Sequence, residues 1–132
     1  MEDAQVNLLA IIIAAAAYFG LGGLWYSKKV FGNLFMREAG MKEMKVDKTK
    51  LIGEAVIGIV IAAILALLMN LSDFVTIGGG LKIGFLSWLG FSATTQICGV
   101  LWGKVTLKMF YINAGFLLVA YLIMGAIIGA IG

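Results

Sequence analysis

The chain has 132 residues, 62% of them hydrophobic and 13% charged, with a net charge of +3 at pH 7. Soluble domains are about 45–50% apolar and about 25% charged, and one this short cannot hide such an apolar excess. The composition excludes an ordinary soluble domain and predicts a single all-α domain, an integral membrane four-helix bundle.

The first apolar run covers residues 5–26 and carries no charge. About 20 helical residues cross a hydrocarbon core roughly 30 Å thick. The start, MEDAQVN, is acidic and the run is long, so it reads as a retained span and not a cleaved signal. It ends in Trp25 and Tyr26, amphipathic rings that favour the headgroup level, then Lys28 and Lys29. These four residues are expected to anchor the interface.

Residues 24–50 form the one long polar stretch and hold seven of the ten basic residues. Val30, Phe31, Leu34, Phe35, Met41 and Met44 recur among Arg37, Glu38, Lys42, Glu43 and Lys45. That spacing predicts a short interfacial helix, broken or capped near Gly40. The second span is expected over 51–70, the third over 83–103 and the fourth over 111–131. Gly78-Gly79-Gly80, between the second and third, reads as a turn. There is no proline, hence no proline kink.

The first and third loops carry nine Lys and Arg residues against Lys82 alone in the second loop. The positive-inside rule places residues 28–50 and 104–110 in the cytoplasm and both termini outside the cell (inner or plasma) membrane. Loops this unequal also argue against insertion in both orientations. The basic excess faces lipid headgroups, not nucleic acid. In lipid, small residues let helices approach closely, so Gly99, Gly103, Gly125 and Gly129 are candidate packing residues. Four short spans are few to enclose a pathway alone, and a homo-oligomer is expected.

Candidate chemistry concentrates in the third span. Trp88, Ser92, Thr95, Gly99 and Gly103 fall on one helical stripe, with Gln96 beside it. Such a face either lines a cavity or solute path, or bonds to neighbouring helices and to its own carbonyls. Glu54 is the one acidic residue within a span, one turn inside its start, where it can reach water, favour the helix N-terminus or pair with Lys50. Asn113 opens the fourth span as a cap or a polar contact. With no histidine, the commonest metal ligand and general base is missing. Cys98 is the one cysteine, so no intrachain disulfide can form. No phosphate loop, metal set or cofactor motif is present, and the chain is not expected to be an enzyme.

Leu24-Trp25-Tyr26-Ser27, then Phe31-Gly32 and Gly40, and later Tyr111-Ile112-Asn113-Ala114-Gly115-Phe116, stand in order along the chain. In these motifs it resembles the bacterial and archaeal membrane family catalogued as domain of unknown function 1761. Phe35 departs from the tryptophan expected in that family. The resemblance supports four spans and implies no substrate, since the family has no agreed activity. Two functions stay open. One is an oligomeric channel or transporter-like protein using Ser92, Thr95, Gln96, Glu54 and Asn113. The other is a non-transporting structural or accessory protein, whose polar residues only join helices. A lipid-modifying membrane enzyme is a distant third.

Overall fold

Helix caps set the ends of the elements in this computed structural model, which describes residues 7–42 and 46–132. Glu2, Asp3, Gln5, Val6, Glu43, Met44 and Lys45, used in the reading above, lie outside the described residues. Helix α1 (Leu8–Trp25) starts at Asn7, whose side-chain oxygen accepts from the N–H of Leu9 at 3.0 Å and Ala10 at 3.2 Å. The short helix α2 (Gly32–Ala39) stops at Gly40, whose φ of 72° lets Met41 N–H reach the Met36 carbonyl at 2.8 Å. Helix α3 (Lys48–Leu71) is capped by Asp47, which accepts from Lys50 N–H. It ends in the same kind of hook, with Asp73 at φ 56° and Phe74 N–H on the Met69 carbonyl.

The third span breaks the expected pattern twice. Gly78-Gly79-Gly80 is not a turn: helix α4 (Ile77–Ser87) already runs through it, capped by Thr76 Oγ1, which accepts from Gly79 N–H at 2.8 Å. Packing overrides the turn tendency of three glycines. A Cβ at Gly79 would strike the Phe74 carbonyl, and one at Gly80 the Gly125 carbonyl. The second break is a π-helical segment at Trp88–Ala93, after which α5 (Thr94–Leu101) completes the span. Here proline is not what disturbs the helix. Threonine hydroxyls bond to carbonyls of this wider turn. Thr94 Oγ1 donates to Gly90 O at 2.7 Å, and Thr95 Oγ1 reaches Phe91 O and Ser92 O, each at 2.9 Å. Helix α6 (Leu107–Ile131) follows, capped by Thr106.

Four helical stretches, Leu8–Trp25, Lys48–Leu71, Ile77–Leu101 and Leu107–Ile131, are long and apolar enough to cross a membrane. The chain is a multi-pass membrane protein with an all-α, four-span bundle. Helix α6 is its hub, packing on α1, α3 and the whole third span. The core is built from small and flexible side chains. Ala10, Ala14, Ala62, Met69 and Met124 have no exposed surface, and Leu65, Ala66, Phe116, Ala120 and Ile128 join them. Alanine lets α1 and α3 come close, and Met69 of α3 and Met124 of α6 fill irregular gaps in the core.

Between α4 and α6 the approach is closer still. In antiparallel steps of one turn, Thr76 meets Gly129, Gly80 meets Gly125, and Gly84 meets the Tyr121 carbonyl. No Cβ fits at Gly80, Gly84, Gly125 or Gly129, so the two backbones touch.

Gly125→Ala is therefore expected to lower stability by about 1–3 kcal/mol, the usual range for overpacking. Gly53, where a Cβ meets nothing within 4 Å, serves as control. Gly53→Ala should be neutral or gain up to about 1 kcal/mol from helix propensity. Unfolding of both variants in detergent, compared with the parent, measures the difference.

Candidate functional site

The polar residues of the third span divide between two sides. Ser92 is buried at 9% exposure, and its hydroxyl lies 3.3 Å from the Tyr121 hydroxyl on α6. Trp88 also turns to α6, donating from Nε1 to the Ala114 carbonyl at 2.8 Å. Thr95 is exposed, its hydroxyl spent on its own helix. The π segment supplies the reason. A stripe drawn at α-helical spacing loses its phase across Trp88–Ala93, so Trp88 and Ser92 stay on the α6 side while Thr95 leaves it. Gln96 is half-buried, and its amide makes no hydrogen bond among the described residues. Helix α5 buries none of its residues fully, and Thr94, Cys98, Leu101 and the following Trp102 are exposed.

The glycines of this span differ from those of α6. Gly99 is shielded by Val105 of the following loop, 3.0 Å from a Cβ placed there. Gly103 is no packing residue: a Cβ there meets nothing within 4 Å. Its φ of 72° ends the span instead, letting Lys104 N–H reach the Gly99 carbonyl at 2.9 Å. Gly125 and Gly129 lie against α4 within the chain.

A denser polar cluster sits at the end of the bundle that carries the basic loops. Tyr26 Oη donates to Asn113 Oδ1 at 2.6 Å, Trp25 Nε1 donates to the Ile112 carbonyl at 3.0 Å, and Tyr18 Oη donates to Glu54 Oε2 at 3.2 Å. Phe116 stands at its centre. Its ring centroid lies 5.3 Å from Tyr18, 5.5 Å from Tyr26 and 6.2 Å from Trp25, all tilted or edge-on. Phe31 and Phe35 close the outer side against Trp25 and Tyr26 at 4.9 and 5.1 Å. Trp25 and Tyr26 thus direct their polar atoms to α6, while Lys28 and Lys29 beside them are exposed. Helix α2 is fastened to the same end, because Thr106 Oγ1 donates to Glu38 Oε1 at 2.7 Å.

So Glu54 and Asn113 share one end of the bundle and one aromatic cluster, whereas Ser92, Thr95 and Gln96 lie apart from it. Sequence reading missed Tyr18, Phe116 and Tyr121 as partners. The signal for Tyr18 was present: it is the one hydroxyl in α1, and Glu54 the one carboxylate in a span. Chemically the cluster can hold a charge and accept hydrogen bonds. Among the described residues no three cysteines or carboxylates gather as they would around a metal ion.

Tyr26 and Asn113 should be energetically coupled. In a double-mutant cycle of Tyr26→Phe and Asn113→Ala, followed by unfolding in detergent, the expected coupling is about 0.6–1.7 kcal/mol, the range for hydrogen bonds between membrane helices.

Neither the curated proteins nor the solved structures contain a match to this chain. The family described as "Protein of unknown function (DUF1761)" matches residues 9–129, nearly the whole length and all four spans. The chain belongs to the DUF1761 family.

Proposed function

We propose that this is a non-enzymatic, non-transporting membrane protein that works by assembling with copies of itself, and that the cytoplasmic half of its third span is the contact face. The observation that carries the reading is Gln96. This residue is partly buried within a membrane-spanning helix, and its amide has no hydrogen bond among the described residues, on a half-helix that buries nothing fully. A primary amide without a partner is costly in hydrocarbon, and it offers both donor and acceptor. A second copy presents the same group, so two Gln96 side chains can satisfy each other about a two-fold axis. The closed core supports the non-transporting reading, because Ala10, Ala14, Ala62, Met69 and Met124 leave no polar route through the middle.

A second reading is favoured by the same amide. Where copies meet around Gln96, Thr94 and Thr95 could line a small-solute or ion path between subunits. Gln96→Leu tests both. Self-association in detergent, read as mass or as resonance energy transfer, should weaken about three- to twentyfold, matching the worth of an interhelical hydrogen bond. A parent protein that stays monomeric at every protein-to-detergent ratio overturns the assembly reading. Ion or solute flux in proteoliposomes that Gln96→Leu abolishes would favour the path.

The orientation belongs to the same proposal. Of the described basic residues, eight lie at the end that holds α2 and the α5–α6 loop, and Lys82 lies in α4. We assign that end to the cytoplasm and the termini to the outside. Reporter fusions after Lys50 should read cytoplasmic and fusions at Gly132 external, and the reverse pattern overturns the assignment.

A further inference from the structure

We propose that Glu54 is the binding site for the primary ammonium of a phospholipid headgroup, one carrying ethanolamine, in the leaflet at the basic end of the bundle. Glu54 is the seventh residue of α3, about 9 Å along the axis from Lys48. A carboxylate at that depth demands a partner. Tyr18 is the one described residue that hydrogen-bonds it, at 3.2 Å, and an ionised carboxylate has about four acceptor positions. The acceptor capacity that remains is accessible, for Glu54 is exposed.

Its surroundings define the route of access. Leu51 and Ile57, three residues before and after on the same helical face, are each 44% exposed. An apolar, outward-facing stripe admits a ligand from the leaflet, so the ligand is an amphiphile. Lys48, Lys28 and Lys29 are exposed at the same end and supply the opposite charge for a phosphate. A headgroup with both an ammonium and a phosphate matches both features.

The aromatic cluster decides between ammonium types. Quaternary ammonium groups are recognised by the faces of aromatic rings. Here Tyr18 packs on Phe116, and Tyr26 is held edge-on between Phe35 and Phe116. Those rings are committed to each other. Recognition falls to N–H donation into the carboxylate, which a primary ammonium provides and a choline group cannot.

The test uses the intact, delipidated protein in detergent. Short-chain phosphatidylethanolamine, its mono- and dimethyl forms, phosphatidylcholine and phosphatidylglycerol are titrated, with binding read by native mass spectrometry. Affinity should fall along the methylation series, with ethanolamine about tenfold tighter than choline, the scale of a charge-assisted hydrogen bond. Glu54→Gln should erase that preference while far-UV circular dichroism stays unchanged. Equal binding of the ethanolamine and choline lipids overturns the proposal, as does a preference that survives in Glu54→Gln. Tighter binding of phosphatidylglycerol in both proteins would also overturn it, assigning that end to general attraction by lysines. If Glu54→Gln fails to fold, the methylation series on the parent protein decides alone.

Discussion

The backbone contact between α4 and α6 sets the geometry from which the rest of the bundle follows. Lipid gives helices no hydrophobic reason to associate, so association depends on how closely they can approach. Gly80 and Gly125 remove the side chains that would keep α4 and α6 apart, and Gly84 and Gly129 extend the contact by a turn on either side. With those backbones in contact, Ile77–Gly80 is helical and not a turn. The same register delivers Trp88 to the Ala114 carbonyl and Ser92 to the Tyr121 hydroxyl. Helix α6 is held on its other side by alanines of α1 and α3 and by Met69.

The polar end works by a different physics. Three side-chain hydrogen bonds, from Tyr18, Trp25 and Tyr26, cross between helices around one phenylalanine. Each such bond is modest, averaging about 0.6 kcal/mol in a membrane. Their value lies in direction: they fix how α1 is turned toward α3 and α6, which small residues alone do not. The Glu38–Thr106 bond extends this order to α2. The charged end is thereby the better specified one, with its lysines displayed from a rigid base.

Much of this was legible in the sequence, for particular reasons. Uninterrupted apolar runs mark spans, because helices and closed barrels alone satisfy their backbone in hydrocarbon. Gly40 announced the end of α2, since a left-handed residue favours glycine. Gly78-Gly79-Gly80 misled because glycine has two uses, turning the chain and letting helices touch. Which one applies depends on Gly125, some forty-five residues on. The stripe from Trp88 to Gly103 failed for a different reason: a helical wheel assumes one period throughout. Glu54 and Asn113 were picked out singly, while the cluster that unites them is made by Phe116, whose chemistry gives no hint of its position. Gln96 was visible as a polar residue, but its lack of a partner is a property of the fold.

The π segment has a consequence for how the third span is encoded. It holds one residue more than an α-helix of equal rise needs. Winding the same residues as α-helix, with none removed, would swing everything beyond them by about 100° around the helix axis. The direction in which Gln96 and Thr95 point is thus a matter of how this segment is wound as well as of residue identity. A substitution near Gly90 that restored α winding would re-aim the whole lower half of the helix and leave the glycine contact above it in place.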